Sequence, residues 1–288
     1  MSSHKRKKTS GIARLDYDPS GSYALDIEVF TVADLRQRLG KRRLRLPHRY
    51  AFGMVLCVTR GECTQVIDFK SVRCKPGSLL GIRPGQAHRF GDERDWDGWI
   101  VLYRPEAITQ RMTAHLALRE PEQRLVTGAI VQMKEDTRMT SPVAQLNALL
   151  RQLLSALLLR LSIFEGRGGK SDVTSKSAQR HGVFQQLVEG NFAKWHQVAH
   201  YANRMGCSEK SLTRAAMQSA GVTAKAVIAS RINLEAKRML VHSTMSVTLI
   251  AEQLGFDDPT NFVKFFRREA HCTPREFRQR HAEVDALG

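Results

Sequence analysis

The stretch Val247-Thr-Leu-Ile-Ala-Glu-Gln-Leu-Gly-Phe-Asp-Asp-Pro-Thr-Asn-Phe-Val-Lys-Phe-Phe-Arg-Arg-Glu269 decides the fold of the C-terminal part of the chain. Its first half predicts a helix from Val247 to Leu254, because the apolar residues recur at three- and four-residue steps. Ser246 is a residue type that caps helix N-termini. Gly255 stands where a helix end favours a left-handed residue, so the helix is expected to stop there.

The second half of the stretch predicts another helix directly after the turn. Asp257 or Asp258 can cap it, and Pro259 occupies the first helical position, where proline is tolerated. Three phenylalanines would pack this helix inward. Two short helices with a glycine-containing turn describe a helix-turn-helix, in which the second helix enters the DNA major groove. The side chains predicted to face DNA are Thr260, Asn261, Lys264, Arg267 and Arg268.

A similar arrangement lies about fifty residues upstream. A helix beginning near His196 breaks at Gly206, and Ser208 can cap the next one. Between the two units, the run from Thr223 to Leu240 is long enough for one connecting helix. The DNA-facing candidates of this first unit are Glu209, Lys210, Ser211, Thr213 and Arg214.

These residues resemble the AraC/XylS family of bacterial regulators over about a third of the chain. The resemblance rests on Ala251-Glu-Gln-Leu-Gly-Phe256, Asn261-Phe-Val-Lys-Phe-Phe-Arg-Arg268, Thr273-Pro-Arg-Glu-Phe-Arg278 and Arg231-Ile-Asn-Leu-Glu-Ala-Lys-Arg-Met-Leu240. It implies recognition helices at about 209–219 and 259–270, entering successive major grooves on one face of double-stranded DNA. It also implies RNA polymerase as a candidate partner.

Two positions depart from the family pattern. His271 and Cys272 stand before the Thr-Pro step, where the family usually has glycine. Ala216 stands where an aromatic residue is usual near the end of the first recognition helix. We therefore expect the first unit to pack more loosely, or to sit differently on DNA, than the second.

The N-terminal part predicts short strands from about Tyr23 to Tyr103. Apolar runs alternate with Gly61 and two Pro-Gly pairs, a pattern typical of a sandwich or barrel. The segment from Cys74 to Phe90 resembles the strand-turn-strand of a cupin barrel and the sensor domain of AraC-type regulators. The resemblance implies a small-molecule effector. The candidate ligand-binding residues are His48, Tyr50, His88 and Trp99.

An enzymatic cupin is the rival hypothesis, because such barrels hold a metal through a His-x-His pair, a glutamate and a later histidine. Here Tyr50 stands two residues after His48, and no glutamate follows before Glu62. Two imidazoles without a carboxylate make a poor catalytic metal site. We therefore predict no catalytic residue, metal or cofactor; stoichiometric metal in the purified protein would favour the enzyme.

A leucine-rich helix is predicted from about Pro142 to Glu165. It is apolar on more than one side, so it could pack on its own barrel or against its twin in a homodimer, and we favour the homodimer. Its most apolar stretch, Leu153 to Leu159, is bracketed by Arg151 and Arg160 and is too short to span a bilayer. The N-terminus lacks the apolar core of a signal peptide. No membrane partner and a cytoplasmic location are expected.

The composition agrees with a regulator that binds a polyanion. The chain of 288 residues carries 45 Lys and Arg against 28 Asp and Glu, and its five cysteines show no zinc-like spacing. The length favours two domains. We predict an α+β protein, a cupin-like β-barrel followed by an all-α domain with two helix-turn-helix units. The predicted segments are a basic disordered tail (1–22), a sensing and dimerisation domain (23–140), the leucine-rich helix (141–165), a flexible linker (166–178) and the DNA-binding domain (179–282).

Overall fold

A computed structural model describes residues 14–15, 23–44, 47–91, 93, 95–108, 110, 114–166 and 176–286. The chain divides into two compact units, one holding the described residues up to Gly166 and the other those from Lys176 onward. The first is rich in strands and the second is helical, which confirms the predicted α+β class. The predicted linker lies mostly outside the described residues.

The strands of the N-terminal unit form two five-stranded sheets. The first sheet has the order β1 (Arg14–Leu15), β3 (His48–Tyr50), β8 (Ala87–Arg89), β5 (Cys63–Ile67) and β6 (Lys70–Cys74). The second has the order β10 (His115–Ala117), β7 (Ser78–Ile82), β4 (Gly53–Arg60), β9 (Asp97–Tyr103) and β2 (Ile27–Thr31). Neighbouring strands are antiparallel except for β1 and β3. The predicted barrel is thus built as two separate sheets among the described residues.

The second sheet is covered on both faces, which explains why its strands read as continuous apolar runs. Successive side chains of a strand point to opposite faces. In β4, Met54 and Leu56 enter a core shared with the first sheet, which we call the inner core. Val55 and Cys57 enter a second core shared with helices, which we call the outer core.

Three α-helices belong to this unit: α1 (Val32–Leu44), α2 (Glu120–Asp136) and α3 (Val143–Gly166). Thr31 and Asp34 cap α1 reciprocally: the Thr31 N–H donates to the Asp34 carboxylate at 2.9 Å, and the Asp34 N–H donates to the Thr31 hydroxyl at 3.0 Å. A short 3-10 helix spans Pro105–Ala107.

Helix α3 is the predicted leucine-rich helix, and it packs on its own domain. Seven of its side chains are buried, all in the outer core: Leu146, Leu150, Leu154, Leu157, Leu158, Leu161 and Phe164. The packing alternative that we ranked second is therefore the one observed for this face. By length and composition α3 is also the one described helix that could cross a membrane, a criterion that core helices also meet.

Part of the tail that the sequence predicts to be disordered is ordered. Arg14 and Leu15 pair in parallel with Arg49 and Tyr50. The reason is that the open edge of a sheet offers unpaired N–H and C=O groups to any nearby extended segment. The rest of the tail lies outside the described residues.

The C-terminal unit consists of helices in the described part of the chain. They are α4 (Lys176–Asn191), α5 (Val198–Arg204), α6 (Glu209–Ala220), α7 (Ala224–His242), α8 (Val247–Gln253), α9 (Pro259–Ala270) and α10 (Pro274–Ala286). Helix α7 connects the α5–α6 pair to the α8–α9 pair, as the sequence predicts.

Candidate nucleic-acid interface and effector site

The turn between α8 and α9 has the local chemistry that the sequence predicts. The Ser246 hydroxyl accepts a hydrogen bond from the backbone N–H of Leu249 at 3.1 Å. Gly255 adopts a left-handed φ of 77°. The Asp258 carboxylate accepts from the backbone N–H of Thr260 at 2.8 Å, and Pro259 opens α9. These bonds fix where the second helix begins.

Helix α9 buries one face and exposes the other. Phe262 and Phe266 are fully buried. At about 100° per residue, Thr260, Lys264 and Arg267 lie opposite them, and all three are exposed. This exposed, largely basic side is the face that α9 can present to DNA.

The other two predicted residues of α9 lie at the edges of that face. Asn261 and Arg268 are both exposed. The Arg268 Nε donates to the Glu269 carboxylate at 2.9 Å, and its guanidinium lies 5.5 Å from the centre of the Phe265 ring. Arg268 is therefore engaged along its own helix, unlike Lys264 and Arg267.

Helix α6 repeats this design at an offset of fifty residues. Both helices have 12 residues, and each ends on a left-handed residue, Gly221 in α6 and His271 in α9. The position at which the family usually has glycine thus holds a histidine in the strained conformation. In this register Lys210 corresponds to Thr260, and Arg214 corresponds to Lys264.

The five predicted residues of α6 divide into three groups. Lys210 and Arg214 lie opposite the buried face and are exposed, and Glu209 is exposed in the first turn. The Ser211 hydroxyl already accepts a hydrogen bond from Arg180 of α4 at 2.8 Å. Thr213 is half-buried at the edge.

Sequence reasoning missed Met217 on the exposed face of α6. Its position corresponds to Arg267, and it is 47% exposed. Selecting only polar and basic side chains excluded it. The fifty-residue register, applied to every position rather than to the charged ones, would have found it.

The first unit does not show the expected loose packing around Ala216. Ala216 is 0% exposed and belongs to one core with Phe184, Tyr201 and Leu212. The rings of Phe184 and Tyr201 meet edge to face at 5.4 Å. Phe184 of α4 supplies the aromatic side chain that α6 lacks at Ala216. The sequence did not predict that α4 packs in this core.

Three of the four predicted effector-binding residues lie together on the first sheet. His48 and His88 are direct cross-strand partners in β3 and β8. Tyr50 lies two residues after His48, with its ring 5.9 Å from that of His88. Tyr50 and His88 are buried, whereas His48 is half-buried.

His88 is a buried polar residue with one satisfied nitrogen. Its Nε2 lies 3.1 Å from the Gln65 Oε1, and its Nδ1 is buried without a hydrogen-bond partner in the described structure. Burial, together with the neighbouring charge of His48, lowers the pKa of His88 to about 3. The ring is therefore neutral near pH 7. If Nε2 carries the proton that Gln65 accepts, Nδ1 is a free acceptor.

The fourth predicted residue, Trp99, does not join this group. In β9, Ile100 belongs to the inner core, so Trp99 points to the opposite face and packs against the outer core. The tryptophan of the inner core is instead Trp96, 1% exposed, whose Nε1 is buried without a partner in the described structure. Phe90 lies between His88 and Trp96, 4.6 Å from the former and 6.3 Å from the latter. Two-residue alternation back from Ile100 would have selected Trp96.

The described residues contain no group of three or more His, Cys, Asp or Glu side chains that could hold a metal. What the unit does offer is a small aromatic-lined region with one free donor and one free acceptor.

A strand-rich unit with buried polar groups, followed by two helix-turn-helix units with exposed basic faces, defines a DNA-binding regulator of transcription. Comparison with known proteins agrees: a helix-turn-helix domain matches residues 201–280, and an AraC-like ligand binding domain matches residues 38–181. The chain belongs to the AraC family of transcription regulators. The proteins to which it is related are transcription regulators and not enzymes.

The curated relatives include the HTH-type transcriptional activator RhaS of Escherichia coli, which is 26% identical over 286 residues, covering 92% of this chain and 95% of RhaS. Among solved structures, unsaturated fatty acid bound ToxT of Vibrio cholerae is 15% identical, with 79% of this chain and 86% of ToxT covered and a TM-score of 0.39. A regulator of Chromobacterium violaceum with an AraC-type DNA-binding domain is 23% identical, with 38% and 97% covered and a TM-score of 0.34.

Proposed function

We propose that this regulator reads DNA through α6 and α9 and that a small molecule bound in the inner core controls this binding. The observation that carries the proposal is the shared register of the two helices. Each is 12 residues long, begins at a capped N-terminus and exposes basic side chains opposite its buried face. Helices of this kind place their N-terminal residues nearest the base edges.

The residues proposed to contact DNA are those of the sequence prediction, with different weights. The largest contributions come from the four basic residues exposed at or near the centre of each face: Lys264, Arg267, Lys210 and Arg214. Arg268 and Ser211, which are engaged within the protein, contribute less. Thr260 and Asn261 lie in the first turn of α9 and are placed to contact base edges.

We propose that the effector binds beside His88, Tyr50 and Trp96. His88 Nδ1 can accept one hydrogen bond from the ligand, and Trp96 Nε1 can donate one. Leaving such groups buried and unpaired costs about 1–3 kcal/mol each, so a ligand that satisfies both gains specificity there. A small molecule with a hydroxyl group fits, and sugars and hydroxylated aromatic acids both meet this description.

A ligand panel tests the effector site. Sugars and hydroxylated aromatic acids are titrated into the full chain, and tryptophan fluorescence and DNA affinity are followed. A bound effector must change DNA affinity, since a ligand acts only through different affinities for two arrangements. Trp96→Phe should weaken its binding, whereas Trp99→Phe, in the other core, should not. An effector that binds equally well to the Trp96→Phe and wild-type proteins would place the site elsewhere.

We propose that the active form is a homodimer that pairs through α3. Its buried face is used within the domain, but Leu149, Leu159 and Ile163 form an exposed apolar stripe, 39%, 59% and 54% exposed. Leu159 and Ile163 lie one turn apart on the side opposite the buried face, and Leu149 lies about four turns before Ile163, nearer the edge of that side. A second copy of the same stripe would cover them.

Sedimentation of two variants tests this pairing. Leu159→Glu with Ile163→Glu should shift the protein to the monomer, because a dimer would bury two charges without partners. Leu125→Glu, on an exposed position of α2 outside the stripe, is the matched control and should leave the dimer intact. A dimer that survives the double substitution would exclude α3 as the interface.

By analogy with the RhaS activator, we propose that the bound protein recruits RNA polymerase and works in the cytoplasm. Reporter transcription from a selected binding site, with and without the protein, distinguishes activation from repression.

A further inference from the structure

Two cysteines face each other across the hairpin formed by β5 and β6. The two strands are joined by Asp68 and Phe69, which both have positive φ values, 46° and 70°. This is the pattern of the tight hairpin turn whose twist suits paired strands. The turn sets the register, and in this register Cys63 is the direct partner of Cys74.

The two thiols are close enough to bond. Directly opposed residues of antiparallel strands have Cα atoms about 4.5–5.5 Å apart, and disulfides span about 4.4–6.8 Å between Cα atoms. Both side chains belong to the inner core and are 2% and 0% exposed. The spacing of the two cysteines along the chain does not predict this pair, because their alignment depends on the register of the hairpin.

The pair is polarised. The Gln65 Nε2 donates to the Cys63 Sγ at 3.1 Å, whereas the Cys74 thiol donates to the Val72 carbonyl oxygen at 3.6 Å. The neighbouring Cys74 and the Gln65 donor lower the pKa of Cys63, whereas the neighbouring Cys63 and burial raise the pKa of Cys74. Cys63 is thus the nucleophile of the pair.

The pair is also connected to His88. Gln65, itself fully buried, donates to Cys63 through its amide nitrogen and lies 3.1 Å from the His88 Nε2 through its amide oxygen. A change at the Cys63 sulfur therefore changes the group that orients His88.

We propose that Cys63 and Cys74 are an oxidation site that closes to a cross-strand disulfide when a small peroxide enters the inner core. The Cys63 thiolate attacks one peroxide oxygen and the O–O bond breaks. Cys63 becomes a sulfenic acid, and the leaving hydroxide takes up the proton that Cys63 gave up on ionisation, so that one water is released. The Cys74 sulfur then attacks the Cys63 sulfur and releases a second water. Two thiols are oxidised, and one peroxide is reduced to two waters.

The disulfide weakens the hydrogen bond from Gln65, because a disulfide sulfur accepts more weakly than a thiolate. Gln65 and His88 then readjust next to Trp96. This consequence rests on the proposed effector site, whereas formation of the disulfide does not.

Thiol mapping of the full chain tests the proposal. The reduced protein is treated with hydrogen peroxide, quenched, unfolded and alkylated, and the peptides are analysed by mass. The free thiols should fall from five to three, with Cys63 joined to Cys74, and dithiothreitol should restore all five. Cys57, buried in the outer core at 0% exposure, is the internal control and should stay alkylatable.

Two variants separate the steps. Cys74→Ser should stop the reaction at a Cys63 sulfenic acid that dimedone traps, and Cys57→Ser should still form the disulfide. If the wild-type chain keeps both Cys63 and Cys74 free after peroxide, or joins either one to another cysteine, the proposal is wrong. If the disulfide forms but tryptophan fluorescence and effector affinity stay unchanged, the link through Gln65 to His88 is wrong.

Discussion

At the scale of single residues, the side chains proposed to contact DNA differ in whether they are already paired within the protein. Lys264 and Arg267 are exposed opposite the buried phenylalanines of α9, whereas Arg268 is paired with Glu269. By charge alone, these three side chains would be expected to contribute equally to DNA binding. The hydrogen bonds within the helix separate them.

Lys264→Ala and Arg267→Ala should each weaken DNA binding. If the side chain reads a base, its removal should cost about 1–3 kcal/mol of binding free energy and relax specificity at one base position. If the side chain holds a phosphate, its removal should weaken binding to all sequences equally. The slope of log affinity against log salt concentration, the salt slope, should then shrink by about one. Titrations of a labelled duplex at several salt concentrations distinguish the two roles.

The matched control for these variants is Arg124→Ala. Arg124 is 69% exposed on α2 and pairs with Glu120, so its loss removes the same charge outside the DNA-binding unit. It should leave the salt slope unchanged. Wild-type behaviour of both Lys264→Ala and Arg267→Ala would exclude these residues from the interface.

His88 should make stability depend on pH. Its pKa is about 3 in the folded protein, below the value of about 6.5 in an unfolded chain. The unfolded state therefore binds more protons between these values, so this contribution is present above pH 6.5 and is lost as the pH falls toward 3. At pH 5 the loss should be about 2 kcal/mol in the free energy of unfolding.

Urea denaturation at pH 7 and pH 5 measures this contribution. His88→Gln, which keeps a hydrogen-bond donor for Gln65 but cannot be protonated, should show a drop smaller by about that amount. An equal drop in the two proteins would mean that His88 is not held neutral by burial.

At the scale of elements, the two helix-turn-helix units are joined by more than α7. His196, from the segment before α5, lies 2.7 Å from the Leu254 carbonyl oxygen, and its ring lies 4.8 Å from that of Phe256. Phe256 and Phe265 of the second unit also pack against the core of the first. These contacts hold α6 and α9 in one orientation.

Gly255→Ala should disturb this junction. A Cβ at Gly255 would lie 2.0 Å from the Ala193 carbonyl oxygen, and its φ of 77° is unfavourable for alanine by about 1–2 kcal/mol. Gly206, the equivalent turn glycine of the first unit, has a φ of 60° but nothing within 4 Å of its Cβ position. Gly206→Ala should therefore lose stability only through the unfavourable left-handed φ of alanine.

Thermal unfolding and DNA affinity compare the two glycine variants. Gly255→Ala should lower both more than Gly206→Ala does, because it also displaces the two units from each other. Equal losses would mean that the contact at Ala193 does not fix the arrangement of the recognition helices.

The elements that local chemistry specifies could be predicted from the sequence. The caps at Ser246 and Asp258 and the turn at Gly255 were all readable, because each depends on one or two neighbouring residues. The second helix-turn-helix followed from them. The packing partners of buried side chains could not be predicted from the sequence. The contribution of Phe184 to the core of the first helix-turn-helix, for example, depends on how α4 packs.

The same distinction explains how much of the proposed effector site could be predicted. His48, Tyr50 and His88 were correctly grouped, because strand and turn signals place them on neighbouring strands. The structure places Trp99 against the outer core instead, which the sequence could not show because β9 has buried residues on both faces. The opposition of Cys63 and Cys74 depends on the register of a hairpin.

At the scale of the whole molecule, the proposed roles divide between the two units: the N-terminal unit senses a ligand and the C-terminal unit reads DNA. The AraC-like ligand binding domain and the helix-turn-helix domain are both present in one chain. The central claim is that the C-terminal unit binds a particular DNA sequence. The alternative is that it binds any polyanion that the net charge of +17 attracts.

Fragment selection from the source genome, followed by affinity measurement at physiological salt, tests that claim most directly. The full chain should bind its selected duplex at least about a thousandfold more tightly than a scrambled duplex of the same length. Footprints should show two contacts about 10 base pairs apart on one face. Lys264→Ala with Arg267→Ala should remove most of the preference. Equal affinity for selected and scrambled duplexes would contradict the account and leave only charge-driven binding.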